Sequence, residues 1–406
     1  MIKKILILAC FSFAFNFAFA QRYLSQVFDS VYVAADILYG FNYNYKGDST
    51  NLYLDIYQPK GDTAKNRPVV ILAHGGSFVQ GSRKAQDITE VCTRLAKMGY
   101  VTVSFQYRLG VDILSGKTLE QEFSQAVWRG TQDGRAAVRF IRKQIENGNP
   151  YNLNTNQVYS GGISAGGVLG LHLAFLDVPS ELSQLAIDTN EIGGIEGESG
   201  NAGYSWKVNG VVSLCGALAN VSWLNNNKDI SICNMHGTID ATVPYKTAYF
   251  KFFGADVAIL QGSFSVDSAA TQQGIDTRLH TFEGADHVPF SGTTSTQMQY
   301  MDTTIEYIAR YLYKHVTGIV PSGLNQTLAE ISFQVFPNPA QDKITVQFQD
   351  SKTRSISVFN MSGQEVILVQ TEKEKELIAL DSLPKGMYFM EVREAETVSR
   401  KLILVD

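Results

Sequence analysis

Cysteine is scarce, at four in 406 residues, and no group of Cys and His stands at the spacings that metal centres use. A disulfide framework cannot organise so long a chain from so few thiols. No metal or cofactor is implied. Positive charge is not in excess either: 34 Lys and Arg face 39 Asp and Glu, for a formal charge of −5. A mildly acidic surface argues against a nucleic-acid partner. Beyond the first twenty residues no apolar run is long enough to anchor the chain in a membrane. Histidine numbers only six, so each can be weighed by its place.

The one long apolar run is at the start. Met1-Ile-Lys-Lys is followed by apolar residues up to Ala18-Phe19-Ala20, a small-x-small cleavage site before Gln21. This reads as a secretory signal peptide, residues 1–20. Leu8-Ala9-Cys10 has the look of a lipoprotein box, but it lies very early and the apolar run continues past it, which argues against lipidation. Removing Lys3 and Lys4 takes the formal charge from −5 to −7. It also leaves Cys92, Cys215 and Cys233, each in an apolar segment; two could pair in an oxidising compartment, or all could be buried thiols.

A second change of pattern falls near Lys314. A helical stretch, Tyr300 to Lys314, runs into His315-Val-Thr-Gly-Ile-Val-Pro-Ser-Gly, which has the turn residues of a linker. Short alternating runs follow, at Ser332-Phe-Gln-Val-Phe, Lys343-Ile-Thr-Val-Gln-Phe, Ser355-Ile-Ser-Val-Phe, Met387-Tyr-Phe-Met-Glu-Val and Lys401-Leu-Ile-Leu-Val, with turn signals between them. Short strands without helix predict a small β-sandwich. The expected division is a first domain over 21–317, a linker over 318–331 and a second domain over 332–406. Phe336-Pro-Asn-Pro-Ala-Gln-Asp-Lys-Ile-Thr-Val, Val358-Phe-Asn-Met-Ser-Gly and Leu383-Pro-Lys-Gly-Met-Tyr carry a resemblance of this last region to the C-terminal sorting domain of the type IX secretion system of Bacteroidetes. The resemblance implies export through the periplasm to the cell surface or beyond, with the secretion machinery as a partner. An accessory carbohydrate-binding or adhesive sandwich is the alternative, although no cluster of aromatic residues marks a sugar-binding face.

Between residues 30 and 315, apolar strands alternate with helical segments. They include Leu52–Tyr57, Val69–Ala73, Val101–Phe105, Val158–Ser160, Val211–Leu214, Ile230–Cys233 and Arg278–Phe282. Such runs predict an α/β fold, a doubly wound, mostly parallel sheet with helices on both faces and reactive residues just past the carboxyl ends of strands. Four ends stand out. The most informative is Gln157-Val-Tyr-Ser-Gly-Gly-Ile-Ser164-Ala-Gly-Gly-Val, a strand, a tight turn and the opening of a helix, with Gly162 and Gly166 flanking Ser164. This G-x-S-x-G pattern holds a serine hydroxyl above the sheet edge at a helix N-terminus, where a developing oxyanion is favoured. The others are His74-Gly-Gly-Ser-Phe, His236-Gly-Thr-Ile-Asp240 and Glu283-Gly-Ala-Asp-His287.

A serine needs a base, and a histidine base needs a carboxylate to fix its tautomer. His74 and His236 open glycine turns and are expected to brace them; His172 lies two helical turns past the serine; His280 is inside a strand and His315 in the linker. His287 remains. Asp240 follows a strand end and gives the order Ser, Asp, His, whereas Asp286 and Glu283 are too close in sequence to His287 to reach it well.

Together the four motifs resemble the secreted α/β-hydrolase esterases, close to the carboxylesterase and hormone-sensitive-lipase-like groups. The resemblance implies that Ser164, Asp240 and His287 are catalytic and that the backbone amides of Gly76, Ser77 and Ala165 form the oxyanion hole. Ser77 stands where some members have glycine, which stiffens the loop and leaves its amide available. Phe78, Tyr107, Trp223 and Tyr245 lie near strand ends and are candidates to line a substrate pocket or, equally, to pack in the core. No apolar lid is visible, and Glu191 to Tyr204 reads as a polar, glycine-rich loop at the sheet edge. The activity expected is hydrolysis of short-chain or polysaccharide-linked (acetyl or feruloyl) esters. A serine peptidase of the same fold and a non-catalytic surface binding protein are the rivals, and nothing in the sequence speaks to oligomeric state.

Overall fold

The computed structural model describes residues 22–321, 331, 333–360, 365–394 and 397–406. The signal-peptide reading, most of the linker, Ser332 and the Met361–Gly363 part of the sorting motif lie outside the described residues. The chain forms two compact units, residues 1–320 and 321–406.

The first unit begins with β1 (Val31–Tyr43), β2 (Ser49–Pro59), β3 (Arg67–Ala73), α1 (Gln86–Lys97) and β4 (Val101–Phe105). It continues with α2 (Leu119–Glu146), β5 (Leu153–Ile163), α3 (Ala165–Phe175), β6 (Gly210–Leu214), β7 (Ala217–Leu218) and β8 (Ser231–Gly237). It closes with β9 (Thr247–Phe252), β10 (Ala255–Gly262), α4 (Ser263–Gln272), β11 (Thr277–Phe282) and α5 (Ser295–Thr317). Eight strands make one sheet in the order β1-β2-β4-β3-β5-β6-β8-β11. The first two pair antiparallel, β2 meets β4 antiparallel as well, and every pairing from β4 to β11 is parallel.

A strand covered on both faces must be apolar at every position, and β3 shows why. Val69, Ile71 and Ala73 belong to the core built with α2 and α3, while Val70 and Leu72 belong to the core on the opposite face with α1 and α5. All eleven residues of α3 are buried. Gly166 lets this helix lie against the sheet: a Cβ there would stand 2.1 Å from the Ala73 carbonyl oxygen. Cys92, Cys215 and Cys233 are buried free thiols.

Three features depart from expectation. The last helix runs past Lys314 to Thr317, so His315 is in its final turn, 3.6 Å from Asp276, and not in the linker. Its true start is a capping box, Thr294 with Gln297, ahead of a polar first turn that conceals the apolar period. Second, β9 and β10 form a hairpin that pairs with β7 in a separate three-stranded sheet. Third, the Glu191 to Tyr204 loop is at the sheet edge, where Asn42 Nδ2 of β1 donates to Ser199 Oγ at 3.0 Å, but it is also stapled to α2. Trp128 Nε1 donates to the Gly193 carbonyl (3.1 Å), Gln132 Nε2 to Ile192 (2.7 Å) and Arg139 Nη1 to Glu196 (2.6 Å).

Among its described residues the second unit contains strands and no helix: β12 (Phe333–Phe336), β13 (Lys343–Phe348), β14 (Arg354–Asn360), β15 (Glu365–Thr371), β16 (Lys375–Ala379), β17 (Gly386–Glu394) and β18 (Thr397–Val405). They form two sheets, β12-β13-β16 and β15-β14-β17-β18, around Ile344, Val346, Ile356, Val358, Met390 and Ile403. Strands β15 and β16 were not legible as strands, because charged residues crowd Thr371–Glu376 where one ends and the other begins. No described helix is long and apolar enough to cross a membrane.

Candidate active site

Four loops past the carboxyl ends of β3, β5, β8 and β11 converge. Ser164, between β5 and α3, has φ 56° and ψ −118°, a strained conformation for a residue with a side chain. Its own amide donates to the Leu214 carbonyl at 2.7 Å, which fixes the turn against β6. The hydroxyl that results lies 2.8 Å from His287 Nε2.

His287 Nδ1 lies 2.6 Å from Asp240 Oδ2. A ring nitrogen facing a carboxylate carries the proton, so Nε2 is left as the acceptor for the serine. Asp240 is held from both sides. Oδ1 accepts the amides of Thr242 and Val243, each at 2.9 Å, and Oδ2 accepts His236 Nε2 (3.0 Å) as well as His287. Burial pushes its carboxyl up, but the hydrogen bonds from His236 and His287 prevail and hold it down at about 2. Asp286 acts on the backbone instead, where its Oδ1 takes the amides of Ala241 and His287 and ties the two loops together.

The β3 loop is a tight turn in which the Gly76 carbonyl accepts the amides of Val79 and Gln80. None of its internal bonds uses the amides of Gly76 or Ser77. The loop is close to the serine, since a Cβ on Gly75 would stand 3.3 Å from Ser164 Cβ. Gly76 has φ +117° and an added Cβ would meet the Gln80 carbonyl oxygen at 2.1 Å, so only glycine fits. Ala165 begins α3 directly after the serine. His74 braces this turn, as expected, with Nδ1 2.7 Å from the Gly75 carbonyl and its ring stacked on Tyr107.

A cavity of about 130 Å³ opens beside Ser164 and is mostly apolar. Of the four aromatic candidates, only Phe78 lines it. Tyr107 is buried with its hydroxyl donated to the His74 carbonyl (2.9 Å). Tyr245 bonds Thr281 and sits against His236, while Trp223 stands behind His172 with Nε1 donated to Gln184. These three serve packing because each already spends its polar atom on the protein. Sequence reasoning missed the true walls, Phe123 of α2 and Phe250, Val257 and Leu260 of the β9–β10 hairpin, because nothing near a motif marks them. The hairpin thus supplies apolar wall to the cavity. His172 was also missed, although Ala165, Val168 and His172 share one face of α3 and all reach the cavity.

Among the described residues, one trio could hold a metal ion: Cys215, Asp240 and His287, with ligand atoms within 4.8 Å of one another. Burial pushes the Cys215 thiol up to about 12, and Asp240 and His287 are already hydrogen-bonded to each other. Ligation would require breaking that pair.

Sheet order, nucleophile turn and the Ser, Asp, His sequence of loops define an α/β-hydrolase fold. Residues 54–241 match the family described as BD-FAE, and residues 334–405 match the secretion system C-terminal sorting domain. The chain thus carries a stretch similar to BD-FAE within its α/β-hydrolase fold and, after it, a stretch similar to the sorting domain. Among curated relatives it is 35% identical over 117 residues to pyrethroid hydrolase Ces2a of Mus musculus, covering 29% of this chain and 19% of that protein. It is 34% identical over 143 residues to carboxylesterase 3B of the same organism, covering 35% and 23%. The chain therefore spans about a fifth of the length of these relatives. Among solved structures, an esterase of Thermogutta terrifontis with propionate bound aligns over 73% of this chain and 97% of its own, at 20% identity and a TM-score of 0.49.

Proposed function

We propose that the first unit is a serine carboxylic ester hydrolase with Ser164 as nucleophile, His287 as general base and acid, and Asp240 as the group that orients His287. The observation that carries this reading is the pair of short contacts, Ser164 Oγ to His287 Nε2 at 2.8 Å and His287 Nδ1 to Asp240 Oδ2 at 2.6 Å. Ser164 Oγ attacks the ester carbonyl while its proton passes to Nε2. The amides of Gly76, Ser77 and Ala165 stabilise the oxyanion, worth about 10²–10³ in rate for each donor. The alcohol leaves with the proton from Nε2, and a water repeats both transfers on the acyl-enzyme.

The small apolar cavity suits a short acyl group, so among short-chain and polysaccharide-linked esters we assign it those of short acids such as acetyl, which fit it better than feruloyl. The sorting domain supports export by a secretion machinery that recognises it, and a place at the cell surface or outside the cell.

The test is labelling of the exported chain with a fluorophosphonate, followed by peptide mapping. A single adduct at Ser164, lost in Ser164→Ala together with about 10⁶-fold in turnover, is expected. No adduct on folded protein would remove the reading. A higher turnover of amides than of matched esters would make the site a peptidase.

A further inference from the structure

The cavity beside Ser164 is apolar along most of its wall; Ser77, Glu120, Ser124 and Gln184 line it at half-buried or exposed positions, and besides Ser164 one buried polar side chain does so. His172 is 1% exposed and lines the cavity together with Ala165 and Val168. Its Nδ1 lies 2.8 Å from the Val168 carbonyl, four residues back in the same helix. A carbonyl can only accept, so the ring proton is on Nδ1 and Nε2 carries a lone pair. Among the described residues the ring makes no second hydrogen bond. Burial pushes the ring down to about 4, so it is neutral at neutral pH and acts as an acceptor, not as a counter-ion.

Position gives this atom its meaning. Eight residues at 1.5 Å rise put the His172 backbone about 12 Å along the helix axis from Ser164, and helical side chains lean back toward the N-terminus. The lean shortens that separation, so the imidazole lies less than about 12 Å from the serine, with Val168 between them on the cavity wall. The His172 and Trp223 rings pack T-shaped with their centroids 5.6 Å apart, which fixes the imidazole plane. A volume of about 130 Å³ is close to the roughly 150 Å³ that holds one benzene molecule, so the space takes a compact acyl group.

Resting on the esterase reading above, we propose that His172 is a specificity-determining residue that selects acyl groups bearing a neutral hydrogen-bond donor, such as a hydroxyl, at the end remote from the ester. An acyl chain without one buries Nε2 unpaired, and a site built for a hydroxyl discriminates against the analogue that lacks it.

The full exported chain is assayed with the 4-nitrophenyl esters of hexanoate and 6-hydroxyhexanoate and with the 4-nitrophenyl monoester of adipate. Expected is a kcat/KM for the hydroxylated ester roughly 10-fold or more above that for hexanoate. This ratio should fall to near one in His172→Leu and recover in part in His172→Gln, which keeps an acceptor. Competitive inhibition by the free acids gives the same comparison at the level of binding, should His172→Leu fold poorly. A ratio near one in the wild type, a ratio unchanged in His172→Leu, or a preference for the adipate monoester would each overturn the proposal. Hydrolysis of none of the esters, with Ser164 unlabelled by the fluorophosphonate, would instead remove the esterase reading itself.

Discussion

One oxygen of Asp240 serves two histidines: Oδ2 lies 2.6 Å from His287 Nδ1 and 3.0 Å from His236 Nε2. His236 is fixed in turn, since Nε2 is also 3.1 Å from the Val243 carbonyl and Nδ1 is 2.8 Å from Ser263 Oγ. With Nε2 facing two acceptors the proton is there, and Ser263 donates to Nδ1. In the proposed mechanism His236 touches no reacting atom and positions Asp240. Replacing it with leucine should lower kcat by roughly 10- to 100-fold, the worth of a hydrogen bond to a charged group, and leave KM almost unmoved. A stopped-flow comparison of acylation rates checks this, and a rise in KM at constant kcat would contradict it.

Acid should loosen the same cluster. The Asp240 carboxyl is held down at about 2 against an ordinary value near 4. A carboxyl depressed on folding adds stability that is complete above the ordinary value and is lost as pH falls through the folded one. The wild type should therefore melt above Asp240→Asn at pH 5, with the difference shrinking as pH falls from about 4 to about 2. A difference constant across that range would mean that the ionised carboxylate is not what stabilises the loops.

Gly166→Ala should damage the fold before it damages the chemistry. The new Cβ would stand 2.1 Å from the Ala73 carbonyl oxygen and 2.9 Å from that of His74, both of them backbone atoms that cannot swing aside. The helix must move off the sheet and carry Ser164 with it. Expected is a melting temperature lower by several degrees, at about 2–4 °C for each kcal/mol, and weaker fluorophosphonate labelling. An unchanged melt would show that the helix seats less tightly.

The thiols give a fourth test. Burial pushes Cys92 and Cys215 up to about 12 and Cys233 higher still. Native exported protein should not react with Ellman's reagent at pH 8, and the denatured protein should release three equivalents. Release of only one would reveal a disulfide.

What could be read without the structure was whatever backbone geometry forces on residue type. Gly162 and Gly166 around Ser164 and the Gly75-Gly76 turn are local steric demands, and they appear in the chain as short motifs. The apolar runs of β3, β4, β5, β6 and β8 were legible because strands covered on both faces tolerate little else. The antiparallel partner β1 was not, because half of its residues face water and Val, Ala, Gly and Asn alternate irregularly through it. The hairpin wall was hidden for another reason. Phe250, Val257 and Leu260 meet Phe123 only through tertiary packing, across more than a hundred residues of chain. His172 was visible as a residue but judged by its distance along the chain, when the phase of the helix was what mattered.

The cavity has two walls of different construction. One is α3, buried along its whole length, which follows directly on Ser164 and carries His172. The other is the β9–β10 hairpin, which belongs to its own small sheet and shares no strand with the main one. Under the proposed function, exchange of Phe250, Val257 or Leu260 would alter substrate range while Ser164, His287 and Asp240 keep their alignment. The ruler and the blade are one piece, and the jaw is replaceable.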